Sequence, residues 1–268
     1  MNTTSRGKVL VFDSGMGGLT VARELQALAP ELAVDYAADS GFFPYGDKSD
    51  ELLQMRLPMV AKALCQVVKP DVFVIACNTA STLALPEVRA ALDIPVVGTV
   101  PAIKPAAALT RTGTIGLLAT PGTIKRKYTN RLIEEFASDV RVILHGSVAL
   151  VRMAEQTASG EAIALDAFRQ IHAPLFQADG GDQIDVVVLA CTHFPLVRGE
   201  LAATVPHPVT FVDSGEAIAR QTLRVLPSRP TNMQMGGNVW LTSPPQEQRR
   251  LVEVCRRFAY TEVEHIAV

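Results

Sequence analysis

Val186-Val187-Val188-Leu189-Ala190-Cys191-Thr192-His193 is an apolar run that breaks off at a cysteine and two polar residues. A run this short and this rich in valine reads as a strand buried on both faces, of the kind found in parallel sheets covered by helices. The pattern has an earlier counterpart in Val74-Ile75-Ala76-Cys77-Asn78-Thr79. Outward from these two segments, short β-branched runs alternate with longer helical stretches. Strands are expected over Val9–Phe12, Ala33–Ala37, Val72–Ala76, Pro95–Gly98, Thr114–Leu118, Val140–Leu144, Val186–Ala190 and Val209–Val212. Helices are expected over Gly18–Leu28, Asp50–Val68, Ser81–Ala91, Pro101–Leu109, Thr123–Phe136, Ala149–Gln156, Glu161–Gln177, Pro195–Leu201, Gly215–Val225 and about Gln246–Phe258. Such alternation indicates an α/β fold.

A second echo pairs Phe12-Asp13-Ser14-Gly15 with Val212-Asp213-Ser214-Gly215. Together the echoes suggest two similar half-chains. The proline-rich stretch Pro95–Pro105 reads as the crossing into a second lobe, and His207-Pro208 as the return. The expected division is residues 1–97 with 209–268 in one lobe and 98–208 in the other. Pro227–Gly237 reads as a surface loop.

Composition narrows the function. The 268 residues are 48% hydrophobic and 19% charged, with a net charge of -2, which fits a folded globular chain. No Lys/Arg run marks a surface for nucleic acid or acidic membrane. No apolar run approaches the roughly 18 residues that a bilayer span needs. The polar Met1–Lys8 stretch and the brief Val9–Phe12 run are not expected to act as a signal peptide. The four cysteines, Cys65, Cys77, Cys191 and Cys255, contain no C-x-x-C pair. A cytoplasmic protein with reduced thiols is expected.

In open α/β sheets, ligands bind beyond the carboxyl ends of the strands. Asp13-Ser14-Gly15, Cys77-Asn78-Thr79 and Cys191-Thr192-His193 all fall at such turns. Either cysteine alone reads equally well as a small buried hydrophobe or as a thiol activated at a helix start. Their matching positions in two echoing halves favour function. Cys65 and Cys255, mid-helix, read as structural.

Two thiols facing one carbon suit a specific task. One thiolate removes a proton from one face and the other thiol delivers a proton to the opposite face, inverting the centre without a cofactor. A thiol pKa of about 8.5 keeps both protonation states within reach. Asp13 reads either as a helix cap or as a partner for Cys77 or a substrate ammonium. His193 reads either as a hydrogen-bonded rim histidine or as a partner for Cys191. Asn78, Thr79 and Thr192 could hold a carboxylate or merely cap their turns.

Three patterns are set aside. Gly15-Met16-Gly17-Gly18 is neither G-x-G-x-x-G nor a phosphate loop. Cys191-Thr192-His193 lacks a second pair at zinc spacing, so no metal site is expected. Asp179-Gly180-Gly181-Asp182 lacks the calcium-loop pattern.

The segments Val11–Val21, Phe43-Pro44-Tyr45-Gly46-Asp47, Ile75–Ser81, Leu189–Leu196 and Phe211–Glu216, in this order, resemble the cofactor-independent aspartate/glutamate racemase superfamily, and glutamate racemases within it. The resemblance implies reversible interconversion of L- and D-glutamate, supplying D-glutamate for peptidoglycan. It implies two pseudo-symmetric lobes, each a mostly parallel sheet flanked by helices, with the active site in the cleft between them, often paired as a homodimer. Cys77 and Cys191 would be the acid/base thiols, assisted by Asp13 and His193. Asp13, Ser14, Tyr45, Gly46, Asn78, Thr79, Thr192 and His193 would contact substrate, and no cofactor would be needed. Rival readings are an aspartate or other acidic amino-acid racemase on the same scaffold, a thiol hydrolase using Cys191 and His193, and a non-catalytic amino-acid-binding protein.

Two stretches depart from the family pattern. Ser147–Glu155 keeps a glutamate that supports the second thiol in many members, but lacks their Cys-Pro lead-in, and Glu155 reads on local sequence as a solvated helix face. Gly98-Thr99-Val100-Pro101-Ala102 differs from the usual Gly-Val-Ile/Val-Glu-Pro form. The short stretch before Val9 lacks the extension of members activated by a peptidoglycan precursor, so such activation is not expected.

Overall fold

The computed structural model describes residues 7–227 and 237–268. Most of the polar N-terminal stretch and most of the expected Pro227–Gly237 loop therefore lie outside the described residues. The chain divides into two compact units, Met1–Thr99 with Gly215–Val268 and Val100–Ser214. Elements are numbered along the chain.

The first unit is built on a parallel sheet of β1 (Lys8–Asp13), β2 (Ala33–Ala38), β3 (Val72–Ile75), β4 (Val96–Gly98), β9 (Asn238–Leu241) and β10 (Glu262–His265), in the order β10-β9-β2-β1-β3-β4. β1 and β3 sit inside the sheet, and their apolar side chains are almost wholly buried, which is why both read as unbroken hydrophobic runs. Helices α1 (Leu19–Leu28), α2 (Asp50–Val68), α3 (Asn78–Ala91), α10 (Gly215–Val225) and α11 (Arg249–Arg257) belong to the same unit. α1 turns Leu19, Val21, Ala22 and Leu25 inward. α2 starts where the Ser49 hydroxyl accepts from the Leu52 amide at 3.3 Å, with Asp50 and Glu51 on the positive end of the helix. It stops at Lys69, whose left-handed backbone (φ 51°) cannot continue it.

The second unit holds a parallel sheet of β5 (Thr114–Ala119), β6 (Arg141–Gly146), β7 (Val186–Ala190) and β8 (Thr210–Val212), in the order β6-β5-β7-β8. Its helices are α4 (Ile103–Leu109), α5 (Pro121–Lys125), α6 (Lys127–Phe136), α7 (Ala149–Ala158), α8 (Leu165–Gln177) and α9 (Arg198–Ala202). The core gathers Ile115 and Leu117 of β5 with Val186 and Val188 of β7, and Ile103 and Ala106 of α4.

The two sheets share one order. β2-β1-β3-β4 in the first corresponds to β6-β5-β7-β8 in the second, so β3 and β7 occupy equivalent places. The cysteine echo is therefore structural. The Asp-Ser-Gly echo is not, because Asp13 closes a central strand while Asp213 follows β8 at a sheet edge.

Several boundaries differ from the sequence reading. The chain returns to the first unit at Gly215 rather than at residue 209, because Thr210–Val212 pairs with Val186–Val188. The expected helix Thr123–Phe136 is two helices. Thr120 caps the first, with Pro121 at its start, and Arg126 breaks the run in an extended conformation (ψ 139°). The helix expected from Glu161 begins only at Leu165, since Ala164 is extended. Pro195–Leu201 is a 3-10 turn, Phe194–Val197, followed by α9. β9 and β10 had no counterpart in the sequence reading.

Candidate active site

In the first unit, the ends of β1 and β3 carry the candidate residues. Asp13 closes β1 and is fully buried. Its Oδ1 accepts from the Ser14 amide at 2.6 Å, the Gly15 amide at 3.2 Å and the Ser14 hydroxyl at 3.3 Å, so the carboxylate organises its own turn. Gly18 opens the next helix against it. A Cβ there would lie 2.9 Å from Asp13 Cβ and 3.1 Å from Ala76 Cβ, so only glycine allows this approach.

Cys77 is the N-cap residue of α3, and its carbonyl accepts from the Ser81 amide at 2.9 Å. Thr99 fixes the strand end beneath it, donating its hydroxyl to the carbonyls of Ile75 and Ala76, while its amide donates to the Ser81 hydroxyl. Asn78 and Thr79 follow, both buried. The buried Oδ1 of Asn78 has no hydrogen-bond partner among the described residues. A buried acceptor left unpaired is costly and points to a donor from a ligand or solvent.

Tyr45 opens a 3-10 turn, Tyr45–Asp47, directly after the cis Phe43–Pro44 peptide. Its ring is buried in the same cluster as Cys77. Its hydroxyl donates to Asp39 Oδ2 at 2.6 Å. Burial foremost, then the charge and hydrogen bond of Asp39 and the nearby Cys77 sulfur, hold the Tyr45 phenol well above its ordinary pKa, with Arg56 pulling the other way. Gly46, half-buried, follows on the turn.

The second unit presents Cys191 at the end of β7, with Thr192 and His193, all buried. Cys191 Sγ lies 3.9 Å from His193 Nδ1. His193 Nε2 lies 3.0 Å from Glu155 Oε1, on α7. Glu155 is therefore no freely solvated helix face. A carboxylate accepts, so Nε2 carries a proton, and in the neutral ring Nδ1 turns a lone pair towards the thiol. Two residues 38 positions apart leave no local pattern, so only the family's glutamate position could have signalled this contact.

The remaining cysteines, Cys65 of α2 and Cys255 of α11, sit within helices. Burial pushes the Cys65 thiol up to about 12, and Cys255 is packed inside α11. Among the described residues no cluster of His, Cys, Asp and Glu could hold a metal ion, and no helix is long and apolar enough to cross a membrane.

The sequence profile of the Asp/Glu/hydantoin racemase family matches residues 19–222. The chain belongs to this family. Within the racemases, it is 43% identical over 265 residues to a curated glutamate racemase from Escherichia coli O139:H28, covering 98% of this chain and 92% of that protein. The crystal structure of E. coli glutamate racemase with L-glutamate and the activator UDP-MurNAc-Ala is similar at a TM-score of 0.91 and 42% identity, covering 98% of this chain and 99% of that one. A glutamate racemase from Thermus thermophilus, solved with β-chloro-D-alanine, is similar at a TM-score of 0.78 and 27% identity, covering 98% of both chains.

Proposed function

We propose that this racemase interconverts L- and D-glutamate by two-thiol acid/base chemistry without a cofactor. The observation that carries the reading is the placement of Cys77 and Cys191 at equivalent turns, after β3 and β7 of two sheets with one strand order, in a chain 43% identical to a glutamate racemase.

In the proposed reaction, the Cys77 thiolate takes the α-proton of D-glutamate. The C–H electron pair stays on Cα as a carbanion delocalised into the carboxylate. The Cys191 thiol then gives its proton to the opposite face, yielding L-glutamate, a Cys77 thiol and a Cys191 thiolate. The reverse direction exchanges the roles. The α-proton is far less acidic than a thiol, so turn amides and buried polar groups must stabilise the carbanion where water is excluded.

Asp13 would orient Cys77 or receive the ammonium, and the Asn78 Oδ1, without a partner among the described residues, suits an ammonium N–H. Ser14, Thr79, Thr192 and the Tyr45–Gly46 amides would hold the carboxylates. The first amides of a helical turn have no partner within it. His193, with its lone pair towards Cys191, would accept and return that thiol's proton. The enzyme would act in the cytoplasm as a homodimer, supplying D-glutamate for peptidoglycan.

The test is α-proton exchange in deuterated water without pyridoxal phosphate, followed by proton NMR on each enantiomer of glutamate and of aspartate. Loss of the glutamate α-signal from both enantiomers is expected. Faster exchange of aspartate would transfer the activity to the shorter substrate, and no exchange with either would overturn the reading.

The Cys191–His193–Glu155 relay favours one second reading, a thiol hydrolase with Cys191 as nucleophile. That enzyme would form an acyl adduct on Cys191, visible by mass spectrometry, and would keep its activity in Cys77→Ser.

A further inference from the structure

The Asp39 carboxylate, just beyond β2, is completely buried and receives four hydrogen bonds. Arg56 of α2 grips it with both prongs, Nε to Oδ2 and Nη2 to Oδ1, each at 2.7 Å. The Thr242 hydroxyl donates to Oδ1 at 2.7 Å and the Tyr45 phenol to Oδ2 at 2.6 Å. Phe42 covers the guanidinium at 3.6 Å from its ring centroid. The Asp39 amide donates to the Asp13 carbonyl at 2.9 Å, tying this cluster to the end of β1.

A buried ion pair is weak evidence of a stability role. Its placement points elsewhere. The Tyr45 phenol is within electrostatic reach of Cys77 as well as of Asp39 and Arg56. Its single proton is committed to Asp39, so the oxygen offers other neighbours only lone pairs. Tyr45 is therefore a wall and an acceptor beside Cys77, not a proton donor. Tyr45 shares one packed cluster with Cys77, Asp39 and Arg56 act on its phenol together with the Cys77 sulfur, and Asp13 closes β1, the strand paired with β3. The first two turns of α3 bring only Asn78, Thr79, Ser81 and Thr82 as polar residues, and β4 continues into Thr99.

We propose that Asp39 and Arg56 are positioning residues for Cys77: the pair pins Tyr45 against the thiol, and Arg56 cancels a buried carboxylate charge that would otherwise oppose thiolate formation there. Describing Cys77 as an acid/base thiol rests on the two-thiol reading, but the electrostatic claim can be measured without turnover. Arg56 alone would favour the thiolate and Asp39 alone would oppose it, so removing each partner moves Cys77 in opposite directions. A purely structural pair would produce no such sign reversal.

The experiment uses full-length protein labelled with carbon-13 at cysteine Cβ, with the Cys77 resonance assigned through Cys77→Ser and titrated by NMR. Arg56→Met is expected to raise the Cys77 midpoint by about one pH unit or more, and Asp39→Asn to lower it by a similar amount. The double variant returns it to near the wild-type value. Arg56→Lys, which restores the charge without the fork, also keeps the wild-type midpoint. Because the two-pronged grip that orients the Asp39 carboxylate towards Tyr45 is lost, Arg56→Lys still loses about 10- to 100-fold in kcat/KM for glutamate. Midpoints that coincide in wild type, Arg56→Met and Asp39→Asn overturn the proposal, as does a Cys77 resonance that does not titrate. Should Arg56→Met fail to fold, Asp39→Asn and Arg56→Lys decide by the same rule. A wild-type enzyme that exchanges no glutamate α-proton sinks the two-thiol reading, while the midpoints still decide the role of the pair.

Discussion

His193 reaches Glu155 through Nε2 at 3.0 Å while its Nδ1 faces Cys191 Sγ at 3.9 Å, so one imidazole links a carboxylate on α7 to a thiol at the end of β7. The arrangement fixes the ring's tautomer and leaves its basic nitrogen on the sulfur side. Glu155→Gln keeps the shape but gives up the charge, and its amide can turn a donor towards Nε2. The expected result is a folded protein with kcat/KM for glutamate racemisation reduced about 10- to 100-fold, the worth of a hydrogen bond to a charged group. Circular dichroism of glutamate follows the reaction, and an unchanged rate would remove Glu155 from the relay.

Cys77→Ser and Cys191→Ser should each lower racemisation by about 10²- to 10⁴-fold, because a hydroxyl cannot share the acid/base role at neutral pH. Either variant turning over at near wild-type rate would falsify the two-base scheme.

Cys65 provides a control. Its thiol, raised to about 12 by burial, should resist iodoacetamide at pH 8 in the folded protein, as judged by peptide mass spectrometry. The raised value also has a sign for stability. The folded chain holds this proton more tightly than the unfolded one, so the contribution is complete below about 9 and is lost as pH rises towards about 12.

His172 behaves in the opposite sense at low pH. Its Nε2 lies 2.9 Å from the Thr204 hydroxyl, and burial first of all, with Arg169 and His145 adding to it, lowers its pKa. The unfolded chain therefore binds this proton more readily, and stability present above about 6.5 falls as the solution is acidified. Urea unfolding at pH 5 and pH 7 should show a smaller difference in His172→Leu than in wild type. An equal difference would assign the acid sensitivity elsewhere.

Gly18→Ala forces a Cβ to within 2.9 Å of Asp13 Cβ. Crowding of this kind costs about 1–3 kcal/mol, and because it pushes on Asp13 it should lower kcat as well. Denaturant titration and the racemisation assay measure the two effects. A fully active, fully stable variant would show that the turn yields freely.

The parts of the fold visible in the sequence are those where local pattern and tertiary setting agree. β1, β3 and β7 are apolar throughout because helices cover both faces of their sheets, and the cysteine echo survives because both turns end equivalent strands. β9 and β10 were hidden because Asn238–Leu241 and Glu262–His265 are short and, in β10, mostly charged, as suits an edge. The break at Arg126 depends on a cap and a backbone angle that hydrophobic spacing does not record. At the candidate site, the turns were legible and the partners were not. Asp39 with Arg56 is a side-chain meeting between separate elements that neither periodicity nor motif encodes, and His193 with Glu155 is one that only the family's glutamate position hints at.

The seam between β2 and β9 makes the carboxyl-terminal segment indispensable. β9 occupies the hydrogen-bonding edge of β2 through Tyr36–Ala38, and Trp240 anchors it by donating to Asp35. A premature stop ahead of Asn238 would bare that edge and the apolar floor beneath Trp240. Unsatisfied backbone would then be open to any passing strand, so such a truncation should yield inclusion bodies instead of a smaller working enzyme.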